Sequence, residues 1–209
     1  MSKLAKQVSL VKSDFHMPAP RRDSAISLEK ALRSRRSVRE FAAEPLELWQ
    51  ISQLAWAAQG ITGPDLQRRA PSAGALYPLD LYLVTGNVNG LPPGIYKYNL
   101  NDHELRLSVQ SDIRRELCGA ALSQASILQA AAVFAVSAVY KRTTAKYGDR
   151  GIRYVHMEAG HAAQNLLLQA AVLGLGAVLV GAFRDERVRQ ILLLSEIESP
   201  LYLIPVGKT

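Results

Sequence analysis

One stretch constrains the fold more than any other: from about Asp149 to Leu173 the chain carries a single long helical pattern. Its apolar residues Val155, Ala159, Ala162, Ala163, Leu166, Leu167 and Ala170 recur at helical spacing, and Gly174 supplies a stop. The stretch is unusual in its small residues, Ala159, Gly160, Ala162, Ala163, Ala170 and Ala171. Such positions let a second helix approach closely. A helix of this kind is either the buried centre of one domain or a subunit interface. In a chain of 209 residues its length favours the interface.

The rest of the chain supplies a mixture of elements. Residues 1–24 carry Pro18 and Pro20 and little periodicity, so an N-terminal arm is expected there. A single domain is expected over residues 25–209. Ser27 caps a helix running to about Ser34. A second helix is predicted from Pro45, a favoured first-turn residue, to Gly60. Strands are predicted at Leu79–Thr85, at Gly94–Tyr98 and Glu104–Val109 around a hairpin, at Ala131–Val139, at Ala177–Gly181 and at Leu201–Val206. Further helices are predicted from Ser111 to about Ala121 and over Glu186–Leu193. No regular strand–helix alternation runs through the chain, which favours an α+β layer fold over a doubly wound parallel sheet.

Composition excludes several classes. Hydrophobic residues make up 48% and charged residues 21%, so the chain is globular. Cys118 is the only cysteine, which rules out an intramolecular disulfide and a cysteine-rich metal site. It also fits a reducing, cytoplasmic setting. Met1 to Met17 has lysines at 3, 6 and 12 and no apolar core for a signal peptide, and no membrane helix is expected. The net charge is +7, but the basic residues are scattered apart from 33–39 and Arg68-Arg69. No nucleic-acid fingerprint accompanies them, and a phosphate-bearing cofactor and a dinucleotide reductant explain the bias equally well, so no nucleic-acid partner is expected.

Two short segments carry chemistry. In an extended Arg35-Arg36-Ser37-Val38-Arg39, residues Arg35, Ser37 and Arg39 share a face. Two guanidiniums and a hydroxyl suit a phosphate, because arginine offers forked donors. By itself this cluster reads equally as a solvated surface favoured by a helix C-terminus. Pro71-Ser72-Ala73-Gly74-Ala75-Leu76-Tyr77-Pro78 is a run of small residues through which a flat ligand could reach the backbone. By itself it reads as an ordinary loop. Together they suggest flavin mononucleotide (FMN): a phosphate tail on one segment, a planar ring on the other.

Other motifs fail. His156 and His161 stand five apart on the long helix, not on one face as paired metal ligands require, so no metal site is expected. Gly174-Leu175-Gly176 precedes a strand and lacks a dinucleotide-binding context. No nucleophile elbow occurs, and Cys118 has no evident activating neighbour.

These segments, with Glu158-Ala159-Gly160-His161-Ala162-Ala163-Gln164-Asn165-Leu166, Gly181-Ala182-Phe183 and Ile204-Pro205-Val206-Gly207, occur in an order that resembles the nitroreductase family. The nearest likeness is to its SagB-type, azoline-oxidase-like dehydrogenase branch. The resemblance implies an α+β fold with a central mixed or antiparallel sheet flanked by helices. It implies a homodimer with FMN at the subunit interface and NAD(P)H as co-substrate. It places the phosphate and ribityl chain on Arg35, Ser37 and Arg39, with Arg36 nearby and Lys208 as a candidate further ligand. It places the flavin ring against Ser72, Ala73 and Gly74, with Ala75 and Leu76 next to them, often from the partner subunit. Backbone N–H groups of Gly181 and Ala182 fall beside flavin N5. Lys146-Tyr147 could match a pair that serves substrate oxidation in the azoline dehydrogenases; the other reading is an exposed loop. The function implied is ping-pong hydride transfer to a nitro, quinone or related small-molecule acceptor. The alternatives are azoline oxidation in a peptide, and a flavin-binding or sensing protein without turnover.

Overall fold

A computed structural model describes residues 14–63 and 66–209. The elements in chain order are β1 (Asp14–His16), α1 (Leu28–Ser34), β2 (Leu46–Glu47), α2 (Leu48–Gln59), β3 (Leu79–Thr85), β4 (Val88–Asn89), β5 (Gly94–Asn99), β6 (Glu104–Val109), α3 (Arg114–Ala120), α4 (Ala125–Gln129), β7 (Ala132–Ala138), α5 (Lys141–Tyr147), α6 (Arg150–Val172), β8 (Gly176–Ala177), α7 (Asp185–Ile191) and β9 (Ser199–Gly207). Seven strands form one sheet in the order β1-β6-β5-β3-β7-β9-β8, antiparallel throughout. β2 and β4 make a small separate parallel pair.

The sheet has a helical layer on each face, and strand alternation decides which residues go where. Leu79, Leu81 and Leu83 of β3 and Phe134 and Val136 of β7 pack with α2 and α6, including Ile51, Leu54, Val155 and Leu166. Tyr82, Val84, Val133 and Ala135 point the other way, onto Leu117, Ile127 and Val188 of α3, α4 and α7. β7 is buried along its whole length, as its unbroken apolar run requires. The α+β fold with its antiparallel sheet between helices is as expected.

Several local expectations are corrected. The described part of the expected N-terminal arm, residues 14–24, lies on the domain: β1 pairs with β6, and the Arg21 N–H donates to Gln53 Oε1 at 2.8 Å. Lys3, Lys6 and Lys12 lie outside the described residues. The second helix begins at Leu48, not Pro45, because Glu47 and Gln50 close a capping box there. The third begins at Arg114, not Ser111, with the Asp112 carboxylate accepting from the Arg114 N–H at 3.2 Å. Residues 141–147 are helical, and α4 went unforeseen. Both helices are short, five and seven residues, and have little periodicity of their own to read. The small residues of α6 turn inward: Ala159, Ala162, Ala163 and Ala170 are buried in the chain's own core against α2. Gly160 faces open space, and Ala171 is half-buried and lines a cavity.

Candidate functional site

Arg35 to Ala42 runs along the β8 edge of the sheet. The Ser37 backbone bridges Ala177 in parallel, and the Val38 N–H donates to the Ala177 carbonyl at 3.0 Å. Val38 turns inward against Gly176, where a Cβ would lie only 2.7 Å from Val38 Cγ1. That close approach is what the glycine permits. With Val38 inward, Ser37 and Arg39 are exposed and Arg35 is half-buried. Farther along, the Ala42 N–H donates to the Lys208 carbonyl at 3.0 Å. Arg35, Ser37, Arg39 and Lys208 therefore belong to one sheet edge. Among the described residues neither Arg35 nor Arg39 enters an ion pair. Arg36 is differently engaged: its guanidinium folds back to the carbonyls of Arg33 (2.8 Å) and Arg35 (2.7 Å) and caps the end of α1. A cavity of about 280 Å³ opens here between Arg35, Val38, Leu167, Ala171 and Thr209.

The small-residue segment lies at the other end of α6. Ser72 organises it, accepting the Tyr77 N–H on Oγ at 2.9 Å and the Ala75 N–H on its carbonyl at 3.1 Å. Gly74 has φ +63°, and Ala75 (φ 52°) and Tyr77 (φ 46°) share the left-handed region that such residues rarely adopt. This conformation holds Gly74 and Ala75 exposed while Ser72, Ala73 and Leu76 are half-buried. The structure also brings Lys146 and Tyr147 here. They end α5, and a Cβ on Gly74 would lie 2.8 Å from Tyr147 Oη and 3.2 Å from Lys146 Nζ. Tyr147 stacks edge-on against Tyr154 of α6, with ring centroids 5.2 Å apart.

Sequence reading missed the floor of this segment. Glu158 lines a cavity of about 260 Å³ with Pro71, Ser72, Ala73, Tyr154, Met157 and His161. It is buried, and its Oε1 has no hydrogen-bond partner. Burial pushes its carboxyl up to about 7, against the opposing pulls of the Ser72 hydroxyl and the Arg68 guanidinium. Arg68 is itself held by Gln59 Oε1 at 2.8 Å and the Leu79 carbonyl at 3.0 Å. A signal for Glu158 was present: it stands three residues after Val155 and four before Ala162, so it puts a carboxyl on the apolar face of the helix.

The two segments do not meet within one chain. Glu158 and Ala171 mark them on α6, separated by about 20 Å along the axis. Gly181 and Ala182 follow β8, both exposed, with the Ala182 carbonyl accepting from Gln124 Nε2 at 2.9 Å. The donor set nevertheless fits FMN. Cations and a hydroxyl line one exposed edge, and a small-residue turn with left-handed backbone at Gly74 and Ala75 offers a close approach for a flat ring beside Lys146 and Tyr147. Among the described residues no group of acidic, histidine or cysteine side chains could hold a metal, and no helix is long and apolar enough to cross a membrane.

Residues 32–208 match the Nitroreductase family. A protein of Methanocaldococcus jannaschii named as a nitroreductase is 47% identical over 88% of this chain and 91% of its own length. A crystal structure named as a nitroreductase from Anabaena variabilis superposes with a TM-score of 0.78 at 33% identity, over 87% of this chain and 38% of that one. The trifolitoxin operon protein TfxC of Rhizobium leguminosarum bv. trifolii is 25% identical over 84% of this chain, which spans 54% of TfxC. The likeness to TfxC sustains the resemblance to the SagB-type branch.

Proposed function

The chain belongs to the nitroreductase family, and on that premise we propose that it is an FMN-dependent oxidoreductase working as a homodimer, with NAD(P)H as donor and a nitro, quinone or related conjugated molecule as acceptor. The observation that carries this reading is the separation of the two cofactor segments to opposite ends of α6. One copy supplies a cationic edge, the other a ring seat, and a two-fold pair would supply two complete sites. FMN, when bound, supplies the hydride chemistry at its ring.

The chain's own residues bind and orient. Arg35, Ser37 and Arg39 hold the phosphate end by charge-assisted hydrogen bonds. Arg36 buttresses that edge by capping α1, and Lys208 adds positive charge beside it. Ser72 fixes the turn that lays Ala73, Gly74 and Ala75 along the ring, with Leu76 behind them. Gly181 and Ala182 offer backbone N–H donors. The test is steady-state oxidation of NADH and NADPH with a quinone and a nitroarene as acceptors. Acceptor-dependent turnover is expected. Tight FMN binding without turnover with any donor and acceptor would reduce the protein to a flavin carrier.

A second reading has its own support. Lys146 and Tyr147 stand over Gly74, at the ring seat, where a base could take a proton from a substrate carbon as hydride leaves. This geometry and the likeness to TfxC favour a SagB-type dehydrogenase that oxidises azoline rings in a peptide. Lys146→Ala and Tyr147→Phe separate the readings. Full flavin content with lost turnover assigns the pair to catalysis; unaltered turnover with every acceptor assigns it to the surface.

A further inference from the structure

The ring seat has a floor that the cofactor assignment does not use. Glu158 is buried on the inner face of α6, lines the cavity under Ser72 and Ala73, and leaves Oε1 without a partner. A buried ionised carboxylate with an unpaired oxygen is costly, whereas the neutral acid carries a proton that can be donated. The Ser72 hydroxyl accepts the Tyr77 N–H on its oxygen, and its own O–H favours the ionised Glu158 carboxyl without satisfying Oε1. We propose that Glu158 presents a neutral carboxyl O–H to a hydrogen-bond-accepting flat ring seated on the Ser72–Gly74 segment, and that its ionisation weakens that ligand's binding. The inference rests on the reading that FMN occupies this segment.

The surroundings decide the direction. Arg68 from the preceding loop favours the ionised form, and burial opposes it more strongly, so the transition falls near neutrality at about 7. Tyr77 and Ser72 lie on the segment itself. His161 and Tyr154 line the same cavity from α6, and Lys146 and Tyr147 approach from α5. Asp80 and Arg142 form an ion pair of 3.1 Å behind Arg68 and neutralise each other. Above the transition the carboxylate has no proton to donate and sets a negative charge against the acceptor atoms of the ring. Below it the same group is a donor. A carboxylic acid kept neutral in this way is an established means of binding an acceptor in a poorly hydrated site.

Apoprotein titrated with FMN, followed by quenching of flavin fluorescence at constant ionic strength, tests this. Measurements at about pH 6 and about pH 8.5 bracket the transition, and the wild-type Kd should rise about tenfold across them. Glu158→Gln keeps a donor and cannot ionise, so its Kd should change less than about threefold. Riboflavin, which lacks the titrating phosphate, should show the same difference between the two proteins. Wild-type protein alone, in weakly buffered solution above neutrality, should take up protons on binding FMN. Parallel pH dependence in both proteins, or proton release by the wild type, would overturn the proposal while leaving the FMN reading intact. Failure to bind either flavin at any pH would overturn both.

Discussion

At the residue scale the sharpest contrast is between Arg35 and Arg36. They are adjacent, chemically identical and both line the cavity beside β8, yet Arg36 spends its guanidinium on the carbonyls that end α1, whereas among the described residues Arg35 enters no ion pair. Replacing both Arg35 and Arg39 with Ala should weaken FMN binding by on the order of 1.5–3 kcal/mol per contact. The spectrum of the flavin that still binds should be unchanged, because the proposed site sets these residues on the tail and not on the ring. Unchanged affinity in the double variant would return them to surface charge. Two other sites diverged in legibility. Gly74 was legible as a small residue in a flexible run, but its partners were not. Lys146 and Tyr147 lie far away in sequence, and only folding shows that their ends reach Gly74. Glu158 was legible in principle as a carboxyl on an apolar face, but its sequence context resembled a metal motif and drew attention to His156 and His161 instead.

At the element scale α6 governs the account. Its periodicity fixed its existence and inner face, because burial follows the 3.6-residue repeat directly. Its small residues did not reveal what they pack against. Ala163 is fully buried under the chain's own core, so Ala163→Leu should destabilise the fold by about 1–3 kcal/mol through overpacking, measured by denaturant unfolding. Gly160 is the informative position for association. A Cβ there meets nothing within 4 Å, and Ile152 and Met157 are exposed on the same helix. Gly160→Leu should leave thermal stability of the isolated chain unharmed, since leucine is the better helix former. It should instead shift sedimentation toward monomer and release flavin. A dimer that retains its flavin after this change would remove α6 from the interface. The short helices α4 and α5 resisted sequence reading because each is held by its neighbours and not by its own pattern, and the strand expected at Ala177–Gly181 is confined to Gly176–Ala177.

At the scale of the whole molecule, two buried glutamates set opposite limits to stability. Burial raises Glu158 to about 7, so its contribution is full at low pH and fades as pH climbs through that value. Glu198 is drawn down to about 2: burial pushes it up, but bonds from Tyr82 and Ser195 and the Lys97 charge prevail. Its contribution is present above the usual carboxylate range and fades as pH falls toward 2. Thermal unfolding across pH should therefore show one loss as pH falls from about 4.5 toward 2 and another as pH rises from about 4.5 to about 7, and Glu158→Gln should remove the second alone. The layered α+β plan was legible because strand alternation and long-helix periodicity are local signals. The division of the candidate site between two ends of α6 was not, since no local pattern records which parts of a chain stay apart. That division is why the central claim concerns a cofactor held between two copies. The most direct measurement is to purify the protein, load it with flavin, and determine by chromatography what is released and by sedimentation what species carries it. The account expects a yellow homodimer that releases FMN and not FAD, one per chain. A colourless protein that cannot be loaded with FMN, or a monomer that holds it tightly, would contradict it.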